Sequence, residues 1–214
     1  MFASPEDIQV STSNRILKVL YLNKLKEHEE RLLELQDEKI IYVSDLVSCS
    51  HKRVLRRHYP EVYFQFEPVP FLGTLAHIGL EKTLEEQGLK IEEEFQVPFD
   101  LEGTIYTIKG RVDARGENFI VEIKTSRSDQ GIPRLHHVLQ LQLYCMFLEV
   151  EEGILIYVTP SRVAEYSVKR TDIDLRTLVE ETVMDLRHPR WEWECKYCPF
   201  LKLCGYAVKK PKNR

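Results

Sequence analysis

The chain has 214 residues, of which 43% are hydrophobic and 30% are charged, and its formal net charge is −4. This composition is typical of a globular protein with one sizeable hydrophobic core, and it excludes a strongly basic protein that binds nucleic acid through its overall charge. No apolar run approaches the roughly 18 residues needed to span a membrane, and the first 15 residues lack the basic-then-apolar pattern of a signal peptide. We therefore expect a cytoplasmic protein that does not contact the membrane.

The first 50 residues predict helices around one short strand. Apolar residues recur at helical spacing among many charges over 14–36, which predicts an amphipathic helix. A β-like run at 40–43 follows. Ser44 and Asp45 are then candidate caps for a second helix, which is expected to carry Cys49.

A basic segment at 51–58 continues this second helix. It is a candidate DNA-binding element because affinity for phosphate follows local charge, and the tail at 209–214 is basic too. The alternative is a solvated helix face and a disordered end. Residues 59–70 are expected to form a loop, before a third helix over 71–87 that Gly88 ends. The residues proposed to contact DNA are Lys52, Arg53, Arg56 and Arg57.

The pattern changes to alternating apolar and polar residues after Lys90. Three β-like stretches separated by turns predict a meander, and a helix, a strand pair and a last helix follow. The order of these elements favours one α/β unit with a mixed sheet flanked by helices. The strands are expected at 91–100, 103–115, 118–126, 154–159 and 162–168, and the helices at 135–148 and 173–186.

Two carboxylates and an ammonium group lie close together in the segment 110–126. Asp113 ends one predicted strand, and Glu122 and Lys124 lie two residues apart on the next, so their side chains point the same way. A short antiparallel turn would bring Asp113 beside them. A hard cation such as Mg²⁺ or Mn²⁺ would neutralise the crowded carboxylates and activate a water, which Lys124 would orient or deprotonate. The alternative is a network of exposed charges on an edge hairpin.

Polar residues on two predicted helices accompany this acidic centre. His77 lies on the third helix, where a single histidine is more often structural or exposed. Gln140 and Tyr144 lie four residues apart, on one face of the helix after the acidic strand. They would hold a phosphate or a metal-bound water, or else belong to an ordinary amphipathic helix.

The order of these motifs, between residues 71 and 144, is a helical histidine, G-x-x-D, E-x-K and Q-x-x-x-Y. It resembles the RecB-like branch of the PD-(D/E)xK nucleases, which implies a restriction-endonuclease-like α/β fold and metal-dependent hydrolysis of DNA. The resemblance implies metal ligation by His77, Asp113, Glu122 and the Ile123 carbonyl, catalysis by Asp113, Glu122 and Lys124, and substrate positioning by Gln140 and Tyr144, with Gly110 as the glycine of G-x-x-D.

Three of the five cysteines have the spacing C-x2-C-x5-C, at Cys195, Cys198 and Cys204. This spacing is typical of a metal-binding loop, and the distant Cys49 is the candidate fourth ligand. Four thiolates bind zinc or an iron–sulfur cluster; unrelated buried thiols are the alternative. One isolated cysteine paired with such a loop resembles the cluster pattern of RecB-family nucleases, which favours a 4Fe-4S cluster. Cys145 has no partner at ligand spacing and is interpreted as a small buried hydrophobe.

A single cysteine before the nuclease motifs and three after them resemble the Cas-four family of CRISPR-associated nucleases, from about residue 44 onward. The resemblance implies exonuclease activity on single-stranded DNA, often 5′-to-3′ and sometimes with endonuclease activity. It also implies a role in CRISPR spacer acquisition together with the CRISPR integrase proteins. The long charged helix before residue 40 is not diagnostic of the family, and a homo-oligomer remains open.

Two other functions are consistent with the motifs. One is a repair or recombination exonuclease similar to the nuclease domain of AddB, and the other is a catalytically silent iron–sulfur scaffold that binds DNA. The expected organisation is a helical region at 1–70 that contributes one cluster cysteine, a nuclease core at 71–188, and a cluster segment with a basic tail at 189–214.

Overall fold

The computed structural model describes residues 12–64 and 66–208, so the basic tail at 209–214 lies outside the described residues. Within these two ranges, no helix is both long enough and apolar enough to cross a membrane. The elements are, in chain order, α1 (Arg15–Leu35), β1 (Ile40–Tyr42), α2 (Val43–Leu46), α3 (Ser50–His58), α4 (Pro60–Tyr63), α5 (Pro68–Glu86), β2 (Lys90–Leu101), β3 (Thr104–Arg115), β4 (Phe119–Thr125), α6 (Leu135–Phe147), β5 (Glu152–Val158), β6 (Val163–Lys169), α7 (Leu175–Val183) and α8 (Glu194–Tyr197).

The region between β1 and α5 differs from the sequence prediction. The expected second helix is two helices, because Cys49 has an extended backbone (φ −54°, ψ 121°) and precedes the first residue of α3. The expected loop at 59–70 contains α4 and the first turn of α5. Pro60 and Pro68 begin these two helices, because the φ angle of proline suits the first helical turn and no hydrogen bond from its nitrogen is needed there.

The mixed sheet is organised around the long strand β3. β2 pairs with it antiparallel along its whole length, from Lys90 opposite Arg115 to Leu101 opposite Thr104. The other edge of β3 is shared, since β1 pairs in parallel with residues 107–109 and β4 pairs antiparallel with residues 114–115. β5 then extends the sheet in parallel with β4, and β6 lies at its far edge. The shared edge of β3 therefore opens into a fork at residues 110–113.

Helices cover both faces of this sheet. α5 packs on one face, where Leu80 and Leu84 contact a small cluster that includes Val121 and Ile123 of β4. α2, α6 and α7 pack on the other face over the main hydrophobic core, which contains Leu141 of α6 and is almost free of solvent. The fork in β3 thus lies between α5 and α6, and side chains from both helices reach it.

Candidate active site and cysteine cavity

The fork holds Asp113 in a fixed orientation between β3 and β4. Its Oδ2 atom accepts a hydrogen bond of 2.6 Å from the backbone N–H of Ile123. Only 14% of the Asp113 side chain is exposed. The other oxygen of this carboxylate, Oδ1, lies near His77 of α5.

Glu122 and Lys124 form an ion pair on β4, as the alternation of a strand predicts. Glu122 is 3% exposed, and its Oε2 atom has no hydrogen-bond partner within the described residues. Burial, opposed by Lys124 and supported by the nearby Asp113 carboxylate, raises the pKa of the Glu122 carboxyl to about 7. One oxygen of this buried carboxylate therefore pairs with Lys124, and the other has no hydrogen-bond partner in the part of the chain that the structure describes.

α5 adds an imidazole and a further carboxylate. His77 Nδ1 lies 3.5 Å from Asp113 Oδ1 and 3.7 Å from Glu81 Oε1. A hydrogen bond to Asp113 raises the pKa of His77, and burial raises the pKa of Glu81. The helix approaches closely at Gly73, where an added Cβ would lie 3.0 Å from the Thr125 hydroxyl.

Glu81 was not among the metal ligands predicted from the sequence. The i,i+4 spacing of His77 and Glu81, which puts both on one helix face, was the available indication. One ligand atom each of His77, Glu81 and Asp113 lie within 4.8 Å of one another, the spacing of a metal site.

Gln140 and Tyr144 extend the site from α6. Lys124 Nζ donates to Gln140 Oε1 at 3.1 Å, and Gln140 Nε2 donates to the Tyr144 hydroxyl at 2.9 Å. Burial raises the pKa of Tyr144, so this phenol stays protonated. The row of hydrogen bonds fixes the Lys124 ammonium between Glu122 and Gln140 and limits its rotation.

Gly110 allows the contact between β3 and α6. A Cβ atom here would lie 2.8 Å from Tyr144 Cε1 and still closer to the Phe95 ring. Phe95 and Tyr144 pack edge to face, with centroids 5.8 Å apart. A larger side chain at position 110 would push Tyr144 away from Gln140.

The donor set of this acidic centre fits a hard divalent cation. Carboxylate oxygens and an imidazole are suitable ligands for Mn²⁺ or Mg²⁺. His77, Glu81 and Asp113 offer such atoms at metal-site spacing, and the nearby Glu122 has a buried oxygen without a hydrogen-bond partner among the described residues. Nucleases of the PD-(D/E)XK type use such cations. When bound, the cation polarises a phosphoryl oxygen and lowers the pKa of water. Lys124 is held in this centre by its ion pair with Glu122 and its hydrogen bond to Gln140.

The acidic centre lies in a cavity of about 920 Å³. One wall is formed by β2 and β3 and includes Lys109 and Arg111, and Gln140 and Tyr144 lie at the catalytic end. The opposite wall is α1, which contributes Glu27, Glu30, Arg31 and Glu34. α1 therefore covers one side of the cleft, a position that its sequence did not predict.

The basic helix α3 is placed differently from the sequence prediction. Arg53 is 6% exposed and donates to the backbone carbonyls of Glu38 and Ile40, and Arg56 is 5% exposed and pairs with Asp45 at 2.9 Å. Arg57 donates to the carbonyls of residues 35 and 37. The prediction that these arginines contact DNA is not supported by their placement, because their guanidinium groups bind backbone carbonyls and Asp45 within the protein. Lys52 lines a second cavity.

This second cavity, of about 240 Å³, is lined by all four cysteines predicted as cluster ligands: Cys49, Cys195, Cys198 and Cys204. Cys145 lies apart from them and is fully buried in the main core, as interpreted from sequence. Thiols separated by as many as 155 positions in the sequence (204 − 49) thus converge on one space.

The thiols of the cysteine cavity fit a metal or cluster. Burial raises the pKa of Cys49 to about 11 and also raises that of Cys198, and neighbouring cysteines add to both effects. The thiols of Cys49 and Cys198 therefore stay protonated unless a metal binds them, since coordination deprotonates a thiol. Thiolates are ligands of both zinc and iron–sulfur clusters, and no three of the four Sγ atoms all lie within 4.8 Å of one another.

Glu194 ties the two cysteine-bearing segments together. Its buried carboxylate accepts hydrogen bonds from the backbone N–H groups of Cys49 (2.8 Å), Arg190 (2.8 Å) and Trp191 (2.9 Å). The Trp191 indole also donates to the Val47 carbonyl at 2.8 Å. The position of Cys49 is therefore set by a residue near the other end of the chain.

Comparison with known proteins agrees with this geometry. The PD-(D/E)XK nuclease superfamily matches the chain over residues 51–205. The CRISPR-associated exonuclease Cas4 of Saccharolobus solfataricus is 40% identical over 200 residues, which cover 88% of this chain and 97% of that protein. The crystal structure of SSO0001 superposes with a TM-score of 0.84 at 38% identity, over 91% of this chain and 98% of that one. Similarity of this extent, in sequence and in fold, shows that the chain belongs to the Cas4 family of CRISPR-associated DNA exonucleases, within the PD-(D/E)XK nuclease superfamily.

Proposed function

We propose that the protein is a divalent-metal-dependent exonuclease that degrades single-stranded DNA with 5′-to-3′ polarity, with endonucleolytic cleavage as a second activity. Its metal ligands are His77, Asp113, Glu122 and the Ile123 carbonyl, and Lys124 is the catalytic lysine. The observation that carries the proposal is the unpartnered Glu122 oxygen beside Asp113, buried at the end of a large cleft.

The roof formed by α1 supports the preference for a single strand. Tyr21 contacts Phe64 and Phe66 edge to face, with centroids 5.5 and 5.4 Å away, and these residues precede α5. The other end of α1 reaches β3 through Glu34 and Lys109. A cleft bounded by a helix attached at both ends suits a flexible strand better than a stiff duplex.

Polarity is tested with the same single strand labelled at its 5′ end, labelled at its 3′ end, or closed into a circle. In Mn²⁺, a 5′-to-3′ exonuclease releases the 5′ label at once as short products and shortens the 3′-labelled strand gradually. Cleavage of the circle measures the endonuclease activity. Early release of the 3′ label would show 3′-to-5′ polarity instead. Degradation restricted to duplex DNA would exclude single-stranded DNA as the substrate.

We further propose that the four cysteines hold a 4Fe-4S cluster with a structural role. The convergence of Cys49 with the C-terminal loop in one cavity supports this assignment. A Cys198→Ala variant purified without oxygen is expected to lose iron, visible absorbance and thermal stability together. Stoichiometric zinc without iron in the wild type would indicate the other metal, and a colourless variant of unchanged melting temperature would exclude the structural role.

In the cell, we propose that the enzyme trims DNA for CRISPR spacer acquisition together with the CRISPR integrase proteins. Membership of the Cas4 family supports this context over general repair by an AddB-like exonuclease. Co-purification of the full chain with the integrase proteins encoded near it, and loss of new spacers when Lys124 is replaced by alanine, are the expected results.

A further inference from the structure

The large cavity contains a second group of polar side chains, away from the acidic centre. Tyr42 of β1 and Lys109 of β3 are register partners, so their side chains are neighbours. Each follows a fully buried residue, Ile41 and Ile108, and both side chains therefore project from the face opposite the core. Both side chains line the cavity. Lys109 lies four residues before Asp113, a distance of about 13 Å along an extended strand.

A carboxylate occupies this pair of side chains. Glu34, in the last turn of α1, places Oε1 3.0 Å from Lys109 Nζ, and its other oxygen accepts a hydrogen bond from the Tyr42 hydroxyl. The hydrogen bond from Tyr42, followed by that from Lys109, lowers the pKa of Glu34, so the group is an anion. Donors that hold both oxygens of a carboxylate are equally suited to the two free oxygens of a phosphodiester.

Arg111 continues the row of cations towards the acidic centre. It lies between Lys109 and Asp113 in the same cavity wall and alternates with the buried Val112. Its side chain is 53% exposed, and its guanidinium group lies 3.0 Å from the Glu92 carboxylate. Lys109 and Arg111 on β3 are thus each paired with a carboxylate of the protein. Both lie in the wall of the cleft in which we propose that DNA, a polyanion, is cleaved.

We propose that Tyr42 and Lys109 form a phosphate-binding subsite for the single strand, distinct from the phosphate that is cleaved, and that Glu34 fills this subsite when DNA is absent. This inference rests on the proposed cleavage of single-stranded DNA. Exchange requires only that the Glu34 side chain, 47% exposed, rotates away. Glu34 then acts as an internal competitor of the substrate.

The subsite predicts opposite effects for the two partners of one ion pair. Glu34→Gln removes the competing charge and is expected to tighten binding of a single strand, roughly three- to tenfold at low salt. Lys109→Ala removes a phosphate contact, weakens binding by a similar factor and lowers the slope of log K against log salt by about 0.7. Lys109→Arg keeps the charge and is expected to keep most of the affinity.

The probe is a short fluorescent oligothymidylate, and affinity is measured by anisotropy in Mn²⁺ over a range of salt. All variants are made in a Lys124→Ala background, which keeps the DNA intact. Glu29→Gln, on the exposed side of α1, and Lys169→Ala, at the far edge of the sheet, make the same charge changes away from the cavity and are expected to leave the affinity unchanged. Thermal melting of each variant is recorded alongside.

Opposite changes in affinity for Glu34→Gln and Lys109→Ala support the subsite. If the ion pair only attaches α1 to the sheet, both variants change the affinity in the same direction and lower the melting temperature together. That result would overturn the proposed subsite. No change in either variant would overturn it too. Cleavage of single-stranded DNA by the protein with Lys124 intact is measured in parallel, so that failure of the nuclease proposal is recognised separately from failure of the subsite.

Discussion

At the scale of single residues, the proposal that Glu122 and His77 are metal ligands predicts that their protonation controls how strongly the acidic centre holds a cation. The pKa of Glu122 is raised to about 7 by burial, and that of His77 is raised by its hydrogen bond to Asp113. Both groups must lose a proton to act as ligands. The affinity for Mn²⁺ is therefore expected to rise steeply from pH 6 to pH 8, about tenfold per pH unit for each proton released.

Titration calorimetry in two buffers of different ionisation enthalpy measures both the affinity and the protons released. Glu122→Gln is expected to bind Mn²⁺ more weakly and to release fewer protons than the wild type. An affinity that is the same at pH 6 and pH 8 would contradict the placement of Glu122 and His77 in the metal site.

The same pKa of Glu122 determines how pH changes the stability of the metal-free protein. A carboxyl group whose pKa is higher in the folded state than in the unfolded chain stabilises the fold at low pH, and this stabilisation is lost as the pH rises through about 7. In EDTA, the melting temperature is expected to fall between pH 5 and pH 8 by more in the wild type than in Glu122→Gln. Equal slopes for the two proteins would show that Glu122 titrates normally.

Gly110 and Gly79 form a matched pair for testing the contact between β3 and α6. Gly110→Ala forces Tyr144 and Phe95 apart and is expected to lower the free energy of unfolding by about 1–3 kcal/mol, with a loss of nuclease activity. At Gly79, inside α5, nothing lies within 4 Å of an added Cβ, and alanine is expected to stabilise the helix by about 0.5–1 kcal/mol. Urea denaturation distinguishes the two, and a harmless Gly110→Ala would contradict the close packing.

At the scale of elements, the buried carboxylate of Glu194 joins the start of α3 to the C-terminal loop. Glu194→Ala leaves three backbone N–H groups without an acceptor and is expected to lower the free energy of unfolding by about 3 kcal/mol. The exposed Glu192, two residues earlier, is the control, and its alanine variant is expected to stay within about 0.5 kcal/mol of the wild type. Equal denaturation midpoints for the two variants would show that Glu194 does not tie the segments together.

The elements also show which parts of the fold the sequence could predict. β2, β3 and β4 follow from alternating residues and turn signals, which are local properties. The break between α2 and α3 at Cys49 was missed because its backbone is held by Glu194, 145 positions away. Asp45 was interpreted as a cap, and it does accept the Tyr42 N–H, but its buried partner Arg56 is visible only in the fold.

The candidate site divides in the same way between predictable and unpredictable parts. The pairing of Glu122 with Lys124 follows from the period of a strand. His77 reaches Asp113 only because α5 crosses the fork, and Glu81 accompanies it by its helical spacing. The burial of Arg53 and Arg56 could not be foreseen, since clustered arginines on a helix are usually solvated and their acceptors come from elsewhere in the chain.

At the scale of the whole molecule, the N-terminal and C-terminal segments enclose the cysteine cavity, and α1 and the sheet enclose the nuclease cleft. The domain boundaries at residues 70 and 188 stay a prediction. Gln140 lines both cavities, so α6 connects the cysteine site to the acidic centre. A metal cluster that stabilises the cysteine cavity would also stabilise the position of Lys124, because Gln140 accepts a hydrogen bond from Lys124.

We expect cleavage to occur at the acidic centre of the fork and to depend on a cation held there. The most direct test follows end-labelled single-stranded DNA with the wild type and Lys124→Ala, purified without oxygen, in Mn²⁺, Mg²⁺ or EDTA. The predicted result is degradation by the wild type in a divalent metal, none in EDTA, and a loss of at least about a hundredfold in Lys124→Ala, a factor of the size that a positioned proton-transfer group contributes. Undiminished cleavage by Lys124→Ala, or cleavage by the wild type in EDTA, would place the chemistry elsewhere in the molecule.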